Sequence, residues 1–197
     1  MFLNIITPCS RPENLKTIED SINIPQSNFR WIIVFDADCI PKNIYIPKNC
    51  ETHSFHNNIS ISGNSQRNHA LDMIKTGWVY FQDDDTTLHP DLWDNIKNKG
   101  EDFISFMQNY KDGTLRLDGK SIEVYKIDSH NFISRMSIIK NNRWWNKLAH
   151  ADGIFAQTVY GLSISSVVIP KVLSVYNILR EDTTIIIPKT ITLEEIL

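Results

Sequence analysis

An apolar run near the middle of the chain leads into three consecutive carboxylates: Gly77-Trp78-Val79-Tyr80-Phe81-Gln82-Asp83-Asp84-Asp85-Thr86-Thr87. Residues 78–81 have the aromatic and β-branched composition of a buried strand. Three adjacent carboxylates repel one another, so the triplet favours a bound counter-charge. A hard divalent cation, Mn²⁺ or Mg²⁺, prefers such oxygen ligands and often shares them with the phosphates of a substrate. The simpler alternative is a solvated acidic turn after a strand.

The sequence before this run alternates between strand and helix patterns. A capping box of Ser10 and Glu13 indicates the start of the first helix, and Ser65 is the predicted N-cap of the second. The continuous apolar runs are typical of parallel strands that are buried on both faces. Strands are predicted at 2–7, 31–35, 52–55 and 78–81, and helices at 11–23, from 65 to Gly77, and from Pro90.

The second half of the chain predicts a more mixed arrangement. Strands are expected at 103–107, 122–127, 131–134, 164–169 and 172–176, with a hairpin turn at 111–114 and a helix at 152–160. Together the two halves predict one α/β domain over residues 1–197, with a Rossmann-type sheet that is largely parallel and has mixed strands in its second half. The division is 1–100, 101–180 and a tail at 181–197, whose packing is not predicted.

The ends of the parallel strands carry the candidate binding residues. In open α/β sheets, ligands bind outside the carboxyl ends of the strands, here Thr7–Arg11, Asp36–Asp38 and Asp83–Asp85. Asp36 and Asp38 offer acceptors for a base or for ribose hydroxyls. Arg11 and Arg67 offer guanidinium groups for a diphosphate. Taken singly, each of these residues is as easily a cap or a surface ion pair, so the prediction of a ligand site depends on their convergence.

Composition and charge exclude some functional classes. The net charge of −3 and the pI near 6.1 argue against a general nucleic-acid-binding protein. The three cysteines, Cys9, Cys39 and Cys50, have no metal-binding spacing and an odd number, which favours free thiols in a reducing compartment. No apolar stretch is long enough to span a bilayer and no signal peptide is recognised, so a cytoplasmic location is predicted.

Two segments together resemble a known family. Gly63-Asn64-Ser65-Gln66-Arg67-Asn68-His69-Ala70-Leu71, followed by the strand and triplet at 77–87, is similar to the GT-A glycosyltransferases. The most similar pattern is that of the inverting glucuronyltransferases of proteoglycan synthesis, and Ile6-Thr7-Pro8 with Arg11 also matches that family's first strand and loop. The similarity covers residues 3–95. It implies a GT-A-like domain whose first half binds a nucleotide-sugar and a metal, and whose second half binds a glycan or other hydroxyl acceptor.

The resemblance also implies roles for individual residues. Asp85 would bind Mn²⁺ or Mg²⁺, while the other members of the site would hold a donor, UDP-linked by resemblance with dTDP and GDP left open. Asp152, before a predicted helix, would be the catalytic base that takes a proton from the acceptor hydroxyl, with an ordinary helix cap as the alternative. The residues implied in donor and nucleotide binding are Thr7, Pro8, Arg11, Asp36, Arg67, Asp83 and Asp84.

The chain departs from the family pattern at one point. The glucuronyltransferases carry a histidine after a late strand, but the corresponding stretch here is Val175-Tyr176-Asn177. His130 or His150 is a candidate substitute, and glucuronic acid is therefore not carried over as the donor sugar. Trp144-Trp145 is either an apolar platform for an acceptor sugar or one core residue and one rim residue.

Three other functions compete with a transferase. Asp83-Asp84-Asp85-Thr86-Thr87-Leu88 also fits the nucleophile motif of haloacid-dehalogenase-type phosphatases. Asp83 would then attack a phosphoryl group and Asp85 would be the acid/base. These enzymes also need a later acidic pair at a strand end, which is not evident here. A non-catalytic nucleotide-sugar-binding domain would share the fold. A nucleotidyltransferase would need a glycine-rich loop, which Pro8–Pro12 does not supply. None of these features predicts the oligomeric state.

Overall fold

The computed structural model describes residues 1–37, 43–56 and 62–180. Asp38, Cys39 and the predicted tail at 181–197 therefore lie outside the described residues. The strands are β1 (Leu3–Cys9), β2 (Phe29–Asp36), β3 (Glu51–Phe55), β4 (Trp78–Phe81), β5 (Phe103–Asn109), β6 (Leu115–Leu117), β7 (Phe132–Arg135) and β8 (Ser166–Val175). The helices are α1 (Leu15–Ser21), α2 (Asn64–Asp72), α3 (Leu92–Ile96), α4 (Met136–Ile139) and α5 (Ala151–Leu162).

All these strands belong to one mixed sheet. Its order is β3-β2-β1-β4-β7-β5-β6, and β8 also pairs with β5, to which it is parallel. The first four strands of this order are parallel to one another, whereas β7 is antiparallel to both β4 and β5. The prediction of an α/β sheet that is largely parallel in its first half and mixed in its second is confirmed.

Helices cover both faces of the sheet because successive side chains of each buried strand point to opposite sides. In β1, Ile5 joins an apolar cluster that includes residues of α1 and α3, while the next residue, Ile6, joins a cluster that includes residues of α2, α4 and α5. Both isoleucines are fully buried. This explains why the central strands are apolar without alternation.

Several local predictions from the sequence are wrong. Residues 122–127 form no strand; a turn lies there, since the Lys126 N–H donates to the carbonyl of Glu123 at 2.9 Å. The two strands predicted after residue 163 are the single strand β8. The first α-helix begins only at Leu15, after a short 3₁₀ turn at Pro12–Asn14, and Ser10 does not cap it. Gly63, not Ser65, is the N-cap of α2.

The longest helix among the described residues is α5, with 12 residues. Within the described ranges, no helix has the length and the apolar composition needed to cross a membrane.

Candidate active site

A cavity of about 400 Å³ opens at the carboxyl edge of the parallel strands. The chain order places it there, because β2 lies on one side of β1 and β4 lies on the other, which makes the gap between β1 and β4 a topological switch point. Of the residues predicted for the site, the cavity is lined by Pro8, Arg11, Asp36, Arg67, Asp83, Asp84, Asp85 and Asp152. The structure thus brings together residues from both halves of the chain.

Thr7 and Pro8, the two predicted site residues at the end of β1, have different surroundings. Thr7 is fully buried, and its Oγ1 accepts a 2.9 Å hydrogen bond from the Trp31 indole N–H, so its side chain belongs to the core beneath the cavity. Pro8 lies against the loop before α2. Gly63 has a φ of +74°, and a Cβ there would lie 2.7 Å from the Pro8 Cβ. Glycine therefore allows the close approach that brings Arg67, on the first turn of α2, to the cavity.

Asp84 holds the loop after β1 in place. Its Oδ2 accepts hydrogen bonds from the backbone N–H groups of Ser10 at 2.6 Å and Arg11 at 2.7 Å, and from the Ser10 hydroxyl at 3.0 Å. Its Oδ1 pairs with the Arg11 guanidinium. These contacts explain why Ser10 does not cap a helix. Both oxygens of this buried carboxylate already have partners, which favours a structural role for Asp84. The family resemblance had implied contact with the donor instead.

We expect Asp84→Ala to lower the free energy of unfolding by about 3 kcal/mol, since the substitution leaves two backbone N–H groups and a guanidinium without their acceptor. Urea unfolding measures this change. The control is Asp20→Ala, which removes an exposed ion pair with Lys16 and should cost under about 1 kcal/mol. If Asp84→Ala is as stable as Asp20→Ala but no longer binds nucleotide, Asp84 is a donor ligand after all.

Asp83 is held by three side chains, one on α2 and two in the 3₁₀ turn Ser129–Asn131. Its carboxylate pairs with the Arg67 guanidinium through Oδ1, and the Ser129 hydroxyl lies 3.3 Å from Oδ2. Its backbone N–H donates to His130 Nε2 at 2.6 Å. Arg67 is buried and also lies over the Trp144 ring, 4.7 Å from the ring centroid. This network fixes the first residue of the triplet while leaving its side chain partly exposed to the cavity.

His130 is a buried support and does not line the cavity. Since its Nε2 accepts the N–H of Asp83, the ring proton belongs on Nδ1, which lies 3.3 Å from the carboxylate of Asp128. His150, the other candidate for a late histidine, is the N-cap of α5. Neither histidine is among the residues that line the cavity, whereas Arg180 is.

The carboxylate of Asp85 lies beside two arginine side chains. Arg180 Nε lies 2.6 Å from its Oδ2 and Arg11 Nη1 lies 3.5 Å from the same oxygen. The Asp85 carbonyl also accepts the Leu179 N–H at 2.9 Å. Its other carboxylate oxygen, Oδ1, is buried and has no hydrogen-bond partner among the described residues. Burial and the neighbouring charge of Asp83 raise the pKa of Asp85.

The donor set around Asp85 fits a divalent cation that is completed by a substrate. Within the described residues, no group of three or more His, Cys, Asp or Glu side chains could hold a metal by itself. Mg²⁺ and Mn²⁺ sites that bind nucleotides, however, commonly use one or two carboxylates plus phosphate oxygens and water. Oδ1 of Asp85, which has no hydrogen-bond partner among the described residues, is available for such ligation. Six carboxylates and three arginines line the described cavity, which leaves an excess of negative charge for a cation.

Asp152 lies on the first turn of α5 and faces the same cavity. His150 is the N-cap of this helix, so Asp152 is not the cap that the alternative interpretation required. Its Oδ1 accepts a 2.8 Å hydrogen bond from the N–H of Gly153. Burial, and then the charge of Asp128, raise the pKa of Asp152 to about 7, although Gly153 and Arg67 oppose the shift. A carboxylate with this pKa is suited to general base catalysis near neutral pH.

Several cavity residues were missed by the sequence predictions. Asp128 pairs with Arg116 at 2.8 Å, and Arg116 lies 3.9 Å from the centroid of the Tyr176 ring, which lines the cavity. Arg180, the last described residue, reaches Asp85. A signal for Arg180 existed, since it follows Tyr176 by only four residues, near the place where the family resemblance expects a histidine. Trp144 is buried against Phe155, with ring centroids 4.8 Å apart, whereas Trp145 is largely exposed.

Several solved structures share this fold. Residues 1–349 of S. aureus TarS match with a TM-score of 0.70 and 17% identity, over 89% of this chain and 60% of that one. The same protein in complex with UDP-GlcNAc matches at 0.70 and 16%, over 88% and 57%. A mannosyltransferase of Pyrobaculum calidifontis in complex with GDP-Man and Mn²⁺ matches at 0.61 and 11%, over 87% and 56%. No protein family and no curated protein matches the sequence.

These similarities define the fold of the chain. It has a Rossmann-like α/β fold of the GT-A glycosyltransferase type, as the sequence predicts. The chain spans about 60% of the length of the TarS fragment it matches. The specific similarity to glucuronyltransferases remains a prediction from the sequence motifs.

Proposed function

We propose that this protein is a glycosyltransferase that moves a sugar from a nucleoside-diphosphate sugar, UDP-linked in the first instance, to an acceptor hydroxyl with inversion and with the help of a divalent metal. The observation that carries the proposal is the composition of one cavity. Asp85, with an unpartnered oxygen, the diphosphate candidates Arg11 and Arg67, and Asp152, with a pKa near 7, all line it.

The structures with the same fold support the choice of donor. TarS is solved with UDP-GlcNAc and with UDP, and the mannosyltransferase with GDP-Man and Mn²⁺. Since the present chain has the same fold and carries its acidic triplet at the carboxyl edge of the sheet, a nucleotide-sugar is the ligand class that best fits the cavity. The position of Asp36 at the end of β2 suits contact with the base or ribose.

The proposed reaction is a single displacement. The acceptor hydroxyl attacks the anomeric carbon, its new C–O bond forms as the bond from that carbon to the diphosphate breaks, and its proton passes to the carboxylate of Asp152. The bonding electrons leave with the nucleoside diphosphate. Attack from the side opposite the leaving group inverts the anomeric centre. Asp152 must be ionised to accept the proton, which its pKa allows for about half of the molecules near pH 7.

Arginine side chains meet the charge that develops on the leaving diphosphate. Arg11 and Arg180 form ion pairs with Asp85, and Arg67 forms one with Asp83, so all three guanidinium groups lie beside the triplet. A bound divalent cation would supply Lewis-acid stabilisation of the same charge, with Asp85 as its protein ligand. Arg180 would have to release the Asp85 carboxylate for this ligation, and a diphosphate offers its guanidinium a replacement partner.

Calorimetric titration of UDP with and without Mn²⁺ tests the proposal. We expect Mn²⁺ to strengthen UDP binding by about tenfold or more, since both ligands are needed to draw Arg180 away from Asp85. By thermodynamic reciprocity, UDP must strengthen Mn²⁺ binding by the same factor. Screening of UDP-GlcNAc and GDP-mannose for nucleotide release would then follow.

Failure of UDP and GDP to bind under either condition would contradict the proposal. Hydrolysis of p-nitrophenyl phosphate would then be the next assay, for the phosphatase hypothesis. The geometry does not favour that hypothesis, because Asp83, the required nucleophile, is already paired with Arg67. No lysine of the described chain lines the cavity either.

A further inference from the structure

We propose that Tyr125 and His150 form an acceptor subsite at the mouth of the cavity, where the tyrosine ring stacks on the pyranose ring of a neutral sugar. This inference rests on the proposed function and specifies its acceptor class. Tyr125 is 63% exposed, and its ring centroid lies 5.4 Å from that of His150. His150 stands between Ala149 and Ala151, and both Ala149 and Asp152 line the cavity.

The backbone at Tyr125 is strained. The Lys126 N–H donates to the Glu123 carbonyl at 2.9 Å, which closes a turn with Tyr125 in its third position at a φ of 69°. Turns of this hand usually place glycine or asparagine there, because a side chain in the left-handed region costs about 1 kcal/mol or more. A bulky aromatic residue that remains exposed at such a position gains little burial to offset that cost. Such an outlier points to a functional constraint.

The turn is fixed against the first turn of α5. A Cβ at Gly153 would lie 2.7 Å from the Cα of Val124, so only glycine allows this contact between the turn and the helix. Glycine inside a helix is unfavourable by about 1 kcal/mol relative to alanine. Gly153 directly follows Asp152. The contact between Gly153 and Val124 therefore also holds the turn that carries Tyr125 next to the proposed base.

The chemistry of the pair suits an uncharged sugar. An aromatic ring offers a flat apolar face for the C–H face of a pyranose, and the tyrosine hydroxyl and the histidine ring nitrogens can hydrogen-bond to sugar hydroxyls. The Tyr125 hydroxyl lies 3.5 Å from His150 Nδ1, so the two polar groups lie at the same end of the platform. The charged side chains of the turn, Glu123 and Lys126, pair with each other at 2.8 Å and leave no surplus charge there.

The test measures binding of a panel of methyl pyranosides, those of glucose, galactose, N-acetylglucosamine and mannose, by saturation-transfer NMR in the presence of UDP and Mn²⁺. We expect at least one glycoside to bind, with the strongest transfer to its ring C–H protons. Tyr125→Gly should weaken that binding by about tenfold, the size expected for one aromatic contact. Tyr125→Phe keeps the ring and should change it by less than about threefold.

Two further measurements separate this proposal from its alternatives. Glycine is suited to the positive φ, so the melting temperature of Tyr125→Gly should stay within about 4 °C of the wild type. UDP affinity in the presence of Mn²⁺ should be unchanged in both variants, because Tyr125 does not line the donor cavity. If UDP binds but no glycoside does, or if Tyr125→Gly keeps full glycoside affinity, the subsite is wrong. If UDP itself fails to bind, the proposed function is wrong.

Discussion

Asp85→Asn is expected to reduce nucleotide release from UDP-GlcNAc or GDP-mannose by about 10³-fold and to remove the effect of Mn²⁺ on UDP binding. The reason is electrostatic. Asparagine keeps the shape of the side chain, but its amide oxygen carries no full charge and is a far weaker ligand for a hard cation. The unpartnered Oδ1 is the atom of the described triplet best placed to bind a metal.

The substitution should leave the fold intact. Arg180, which loses its ion-pair partner, has a side chain that is 41% exposed, so water can replace the carboxylate. Circular dichroism and melting temperature check this expectation. The matched control is Asp94→Asn on α3, where an exposed aspartate pairs with Lys97, and this variant should behave as the wild type. Normal metal-dependent turnover in Asp85→Asn would refute the assignment of the metal site.

Asp152→Asn is expected to lower kcat by about 10²- to 10⁴-fold while UDP binding in the presence of Mn²⁺ stays unchanged. The amide oxygen still accepts the Gly153 N–H, so the first turn of α5 should keep its geometry. What the variant lacks is a group that can take the proton of the acceptor hydroxyl. Turnover and calorimetry together give the answer, since a loss of UDP affinity would make Asp152 a donor ligand and not the base.

The pH dependence gives a second test of Asp152. Because only the ionised carboxylate accepts a proton, kcat/KM of the wild type should rise with pH and reach half of its maximum at about pH 7, in accord with the raised pKa. The residual activity of Asp152→Asn should not show this step. A wild-type profile that stays flat between about pH 5 and pH 9 would be inconsistent with a carboxylate base of this pKa.

The same pKa makes a prediction for stability. The folded state holds a proton on Asp152 up to about pH 7, whereas the unfolded state releases it near pH 4, so stability from this group is lost as pH rises through that window. The asparagine variant has no such group. At about pH 8 it should therefore unfold at the same temperature as the wild type or a higher one, which also shows that any loss of turnover is not a loss of folding.

Much of the fold could be predicted because its signals are local. Each central strand is a continuous apolar run, and burial on both faces leaves no other pattern for a parallel strand. The errors, in contrast, come from contacts between residues that are distant in sequence. Residues 122–127 have the composition of a strand, but the contact of Val124 with Gly153 turns the chain there. Ser10 and Glu13 have the spacing of a capping box, but Asp84, distant in sequence, accepts the Ser10 hydroxyl.

The amino-acid sequence is enough to predict that a triplet of carboxylates follows a buried strand and lies close to Arg11 and Arg67, because parallel strands end at one edge of a sheet. Asp152 entered this prediction only through the resemblance to the GT-A family. Which partners each carboxylate of the triplet has depends on the tertiary structure. Three adjacent aspartates are chemically identical in sequence, and they differ only in the partners that fold against them. Asp84 binds the loop after β1, Asp83 pairs with Arg67, and Asp85 keeps one buried oxygen that no described residue contacts by a hydrogen bond.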